Sequence, residues 1–415
     1  MATVPASAAE SLPAASRFAA LGVPTFRWYW LTGAISTTGD GMENVIRNWL
    51  VLQLTGSPFW LGMMVFAHWV PFTFFSLYGG VLADRHDNRR VQLVAQTLLL
   101  LAAAAIAVIT LAGQVSVWWL FGLLLLHGFA GAIGGPAQQT LIHAMVGPDK
   151  LLSAVSLNSS IRQLSQVVGP VVAAFILAAF GPGWGFLVNA VTFVPLLILL
   201  LVIRVPRLGQ RSDQSVRESF AEGVAFVRGR PTLGALIAIE MLPVVFLGHT
   251  FSSLIPIFVR DVLHGNELTY GFLLAASGVG ALVAAMAIAY APPIRRKGVF
   301  IIVAAMVEMV AIFFFALSTD YRLSLALMVA IGGATVLAQS LNNSTIQLSV
   351  PDSIRGRVMG AYTFGTQGLR VLNGPLLGTA ALIIGTPIAV AGSAAIVLAG
   401  LGAILATVPL VRVRD

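Results

Sequence analysis

Asp40, Glu43, Asn44 and Arg47 stand three and four residues apart within an apolar run over residues 26–54 that is long enough to cross a bilayer. A helix turns about 100° per residue, so all four side chains share one face. At 1.5 Å per residue Asp40 lies roughly 21 Å along that helix from Phe26, close to mid-depth. An ionised carboxylate there costs about 2.5–3.5 kcal/mol on insertion scales, so this face is expected to border water or protein rather than lipid. The chemistry open to it is binding and release of a proton by Asp40 and Glu43. The plainer use is a Glu43–Arg47 ion pair at i,i+4 that braces two packed helices.

Other titratable groups fall at similar depth. His68 and His127 match Glu43 in distance from the same surface, and a histidine titrates near pH 6.5, so the three form a candidate proton relay. A histidine beside Trp69 and Pro71 serves equally well as a packing residue. Arg162 reaches a depth close to that of Asp40 and is its candidate countercharge. Other chemistry lacks its residues. There is no cysteine, and neither lysine, Lys150 or Lys297, follows a Gly-x-x-x-x-Gly pattern, so no P-loop is present. No histidine pair has metal-ligand spacing and no Gly-x-Ser-x-Gly elbow occurs, so neither a metal nor a cofactor is expected.

The elements that position these groups follow from composition. Of 415 residues, 58% are hydrophobic and 10% charged, against about 25% charged in soluble domains. The chain is therefore an all-α polytopic membrane protein. Apolar runs of spanning length cover residues 26–54, 59–83, 91–111, 117–142, 151–180 and 184–203, then 233–262, 269–291, 299–317, 323–348, 358–384 and 388–411. Twelve spans thus divide into a six-helix bundle at 26–203 and another at 233–411. Between them lies a central loop, 204–232, in which Val216, Phe220, Val224 and Val227 predict an amphipathic surface helix. Residues 1–25 and 412–415 read as tails, the first disordered and without the charged and apolar regions of a signal peptide.

The net charge of +8 does not call for nucleic acid, because the basic residues sit in short loops. With both termini placed in the cytoplasm, 19 of the 24 Lys and Arg fall on that side, 2 outside and 3 within spans, a positive-inside pattern that sets the orientation. The halves also echo one another. Pro148-Asp149 recurs as Pro351-Asp352 after 203 residues, and Gly169-Pro170 as Gly374-Pro375 after 205. Parallel repeats of this kind belong to rocking secondary transporters.

The loop after the second span reads Gly80-Val-Leu-Ala-Asp84-Arg85-His86-Asp87-Asn88-Arg89-Arg90. It resembles the signature loop of the major facilitator superfamily, with Asp87 in place of a glycine and Asn88 in place of an arginine. Asp87, together with Gly39-Asp40, Trp49-Leu-Val-Leu-Gln-Leu-Thr-Gly-Ser-Pro58, Leu157-Asn-Ser159, Gly169-Pro170 and Pro351-Asp-Ser-Ile-Arg-Gly-Arg357-Val-Met-Gly360, is similar to the third drug–proton antiporter branch, which includes macrolide and enterobactin-type siderophore exporters. The resemblance covers essentially the whole chain. It implies that Asp84 and Arg85 gate against the start of the eleventh span, beside Arg355 and Arg357. It also implies that Glu240, His249, Gln339 and Asn343 line a central cavity, and that His127 stands where the family often has arginine. Small-residue strips at Ser165, Gly169 and Ala173, with Pro170, and at Ala276, Gly280 and Ala284 are then expected to face each other across the halves.

The resulting expectation is an alternating-access exporter in a bacterial cytoplasmic (inner) membrane, acting as a monomer. Its substrate is a small amphipathic molecule exchanged for protons, in a cavity rich in aromatic and Met side chains drawn from Met42, Met63, Met64, Phe66, Trp69 and Phe246. A lipid or lysolipid flippase on the same fold, solute uptake, and a polytopic membrane enzyme or sensor are the alternatives.

Overall fold

A computed structural model describes residues 18–206, 216–290 and 296–408, without the side chains of Leu77, Asp84, residues 216–219, His249, Asp352 and Ser353. The predicted tails lie mostly outside these residues, as does 207–215 of the central loop. No strand occurs among the described residues.

Helices α1 (Pro24–Thr55), α2 (Pro58–Arg85), α3 (Asn88–Leu111), α4 (Val117–Val146), α5 (Leu151–Phe180) and α6 (Pro182–Val202) form the first group. Proline opens three of them, where its missing N–H breaks no helical bond. Asp87 caps α3, its side chain accepting a bond from the Arg89 N–H at 3.0 Å. Next comes α7 (Val216–Arg228), the short helix that the Val216 spacing predicts. The second group is α8 (Pro231–Phe246), α9 (Gly248–Ile257), α10 (Glu267–Tyr290), α11 (Lys297–Leu317), α12 (Tyr321–Leu348), α13 (Asp352–Thr363), α14 (Arg370–Ile384) and α15 (Thr386–Thr407).

Among the described residues, ten helical stretches are long and apolar enough to cross a membrane. Two other helical stretches of the described chain are not among them. Helix α1 carries Arg27, Asp40, Glu43 and Arg47, and α13 and α14 are separated by a π-helical turn at Phe364–Gly368.

Helix α8 ends and α9 begins at Gly248, whose φ of 41° suits glycine. Pro243 supplies no N–H to the helix just before this break. Asn373 of α14 reaches across, its amide donating to the Val244 carbonyl at 2.9 Å. The Thr250 hydroxyl donates in turn to Asn373 Oδ1. A side-chain bridge thus replaces the backbone bonds that the bend removes.

Within the first group α2 packs on α4, α3 on α4 and α6, and α1 on α5 and α6; within the second, α12 packs on α10 and α11, and α11 on α15. The main junctions between the groups are α2 with α14 and α5 with α10, and α9 also touches α2. The first is very close, since a Cβ added to Gly62 would collide with the Gly374 carbonyl oxygen. The second is made by Gly271 against Ala174 and by Gly278 against the Gln166 carbonyl.

This corrects the expected partners of the small-residue strips. Ser165 and Gly169 lie against Gly41 of α1, inside the first group, and Gly280 lies against Val329 and Gly333 of α12, inside the second. A small-xxx-small strip dictates how near a neighbour can come, and it carries no information about which helix that neighbour is.

Candidate functional site

The polar face of α1 forms as the spacing predicts. Arg47 donates through Nη1 to Glu43 Oε1 at 3.3 Å and through Nη2 to Asn44 Oδ1 at 2.6 Å. Glu43 is only 7% exposed. Its second oxygen accepts a bond from the amide of Asn189 on α6. Glu43 is therefore held on both oxygens, by a cation and by an amide.

Asp40 is placed differently. Its Oδ1 is buried and has no hydrogen-bond partner among the described residues. The charged side chains within electrostatic reach are Glu43 and Arg47. The expected countercharge, Arg162, is instead exposed and donates to Ser159 on its own helix at 3.0 Å. An exposed guanidinium in the middle of a spanning helix needs water rather than lipid beside it.

His68 and His127 come together, with ring centroids 5.3 Å apart, and Glu43 and Arg47 act electrostatically on His127. Four of the sequence-derived groups (Glu43, Arg47, His68 and His127) thus converge with Asp40 in one centre of the first group. On its side toward α10, Trp49 stacks on Tyr270 at 5.7 Å and donates through Nε1 to Glu267 at 3.2 Å.

A second polar centre lies in the other group. Glu240 of α8 accepts bonds on Oε2 from the Asn342 amide at 3.0 Å and from the Tyr362 hydroxyl. Arg370 of α14 lies 4.7 Å over the ring of Trp69 on α2 and donates to the Thr366 carbonyl at 3.1 Å. This cation–π contact bridges the two groups. Gln339 is exposed on α12, and Asn343 accepts a bond from Gln347 at 2.5 Å. The side chain of His249 lies outside the described residues.

Of the expected Met-rich lining, Met42 and Met64 are 2% and 1% exposed and pack in the apolar core instead of lining a cavity. Met63, Phe66, Trp69 and Phe246 remain half-buried.

At the basic end the signature loop is tied within its own group. Arg89 donates to the Ile203 carbonyl at 2.6 Å. Arg85 and Arg90 border a cleft of about 430 Å³ with Leu82 and Ile133. Gly80 has no atom within 4 Å of where a Cβ would stand. Arg355 donates to the Gln347 and Val350 carbonyls, and Arg357 pairs with Glu222 of α7. The Asp84 side chain lies outside the described residues.

Sequence reasoning missed Asn189 and Tyr362. The first is the one asparagine of α6, a visible signal. The second has no comparable mark.

The all-helical chain, with two joined helix groups and polar centres inside them, has the fold of solved transporters of the major facilitator class. A bacterial homologue of the human lysosomal transporter Spinster, inward-facing and unoccupied, superposes with a TM-score of 0.73 at 14% identity over 98% of this chain and 99% of its own. The nucleoside transporter NupG gives 0.69 at 15% over 92% and 99%. At these identities the likeness concerns the fold. The sequence profile described as transmembrane secretion effector matches residues 15–415. The chain belongs to that family, one of transporters and not enzymes. The enterobactin exporter EntS of Shigella flexneri is 26% identical over 392 residues, 94% of this chain and 93% of its own.

Proposed function

We propose that this chain exports small amphipathic molecules of the aromatic, oxygen-rich siderophore type across the bacterial cytoplasmic membrane in exchange for protons. Export by a multi-pass major facilitator protein follows from the family and from relatives named as enterobactin exporters. In this reading twelve spans form two six-helix bundles over residues 26–203 and 233–411, with both termini cytoplasmic and a cavity between the bundles.

The observation that carries proton coupling is the contrast within α1. Glu43 is compensated by Arg47 and Asn189, whereas the buried Asp40 oxygen has no donor among the described residues. A carboxylate in that setting gains from binding a proton. The side-chain contacts at Trp49–Tyr270 and Trp69–Arg370 and the close backbone approach at Gly62–Gly374, which join the bundles, lie away from the basic end. This supports a state open to the cytoplasm, with substrate bound between Trp69, Arg370 and the polar face of α12.

The test uses inverted membrane vesicles with an imposed pH gradient and a panel of catecholate, macrolide and lysolipid. Catecholate accumulation that stops when the gradient is dissipated is expected. Movement of every compound at the same rate with and without the gradient would contradict the proposal.

A further inference from the structure

We infer that Glu240 and Glu308 hold one proton between them, resident on Glu308, as a second proton site in the C-terminal bundle. Glu308 lies on α11, and the sequence alone assigns this residue no role. Its Oε1 is 2.8 Å from the Thr335 hydroxyl of α12, and Glu240 lies within electrostatic reach. Thr335 Oγ1 is also 2.8 Å from the Ile331 carbonyl. One hydroxyl carries one hydrogen, so it cannot donate to both. If Glu308 is protonated, its O–H donates to Thr335, and Thr335 passes its own hydrogen to Ile331, so all three atoms are satisfied.

Asn342 supplies an independent observation. It is 1% exposed and donates to Glu240 and to the Leu236 carbonyl, yet its Oδ1 is buried with no partner among the described residues. A buried bare acceptor on the residue that donates to Glu240 leaves room for one more O–H at this centre.

Charge accounting selects Glu308 as the carrier. Helix α11 packs on α12, α15 and α8. Helix α15 has no ionisable residue. Helix α12 has Tyr321 and Arg322, some 13 residues or about 20 Å from Thr335. Helix α8 has Glu240 alone, and α11 itself has only Lys297, about 16 Å along the helix. Arg370 acts electrostatically on Glu240 and balances it. The surplus charge is that of Glu308, and two nearby carboxylates with one cation take up a single proton.

Arg370 also touches Trp69 of the other bundle. Separation of α2 from α14 therefore changes the field at Glu240, and through it the affinity of Glu308 for its proton. The significance for transport rests on the proton-coupled reading above; the existence of the site does not.

The experiment is infrared difference spectroscopy of the full chain in lipid during pH titration, following the carboxylic C=O stretch without substrate or gradient. Glu308→Gln is expected to remove one titrating carboxyl and to leave that of Asp40. Glu240→Gln is expected to weaken proton binding at the remaining site about tenfold, the scale of a nearby like charge. Thr335→Val, which keeps the helix shape, is expected to shift the frequency of the same band. An unchanged set of titrating bands in Glu308→Gln, or an unmoved midpoint in Glu240→Gln, would overturn the inference. A failure of gradient-driven export with these bands as expected would instead count against the proposed function alone.

Discussion

The two polar centres solve the same problem, a carboxylate inside a membrane protein, in opposite ways. In the first group Glu43 is held by the permanent cation Arg47 and by Asn189, and Asp40 beside it lacks a donor at one oxygen among the described residues. In the second, Glu240 and Glu308 are hydrogen-bonded to the neutral groups Tyr362, Asn342 and Thr335, while the cation Arg370 acts electrostatically on Glu240. A carboxylate tied to a guanidinium has its partner fixed and serves the framework. One held by hydroxyls and amides can exist in either protonation state, because a hydroxyl can turn from donor to acceptor. Pairing, more than depth, therefore separates the structural acid from those able to carry a proton.

Substitutions that alter the pairing put this contrast at risk. The largest effect is expected from Arg47→Leu, which leaves Glu43 buried without its cation. A loss of about 3–5 kcal/mol is expected in reversible unfolding in detergent; a loss under about 1 kcal/mol would mean that Glu43 is not held as an ion. Asn189→Leu removes the amide alone and is expected to cost about 1.5–3 kcal/mol in the same assay. Asn342→Leu is its counterpart in the second group. If Glu240 is held more weakly than Glu43, the Asn342 variant loses less, and a larger loss there would reverse the comparison. The smallest effect is expected at the bridge. A Trp69→Leu and Arg370→Lys double-mutant cycle is expected to give a coupling of about 0.5–2 kcal/mol. Zero coupling would sever the proposed link between bundle movement and the second centre.

The first centre is more legible in the sequence than the second. Asp40, Glu43, Asn44 and Arg47 lie within eight residues on one helix, where periodicity alone determines who shares a face. The meeting of His68 with His127 is readable from matched depth. The contacts of Glu240 with Tyr362 and of Arg370 with Trp69 link residues 122 and 301 positions apart. No periodicity encodes such pairs; they follow from which helices pack. The same gap explains why the strip at Ser165 and Gly169 meets α1 rather than the expected α10. It also explains why Arg162, matched to Asp40 in depth, turns toward Ser159 instead.

Asp40 is where the account is most exposed. The direct measurement compares wild type and Asp40→Asn in proteoliposomes loaded with a catecholate siderophore, following both gradient-driven movement and solute exchange at equal pH. The asparagine variant is expected to keep exchange near the wild-type rate while gradient-driven movement falls at least about tenfold, the rate equivalent of about 1.4 kcal/mol. Equal loss of both would make Asp40 a substrate-binding or folding residue. Unchanged gradient-driven movement would contradict the claim that Asp40 carries the coupled proton.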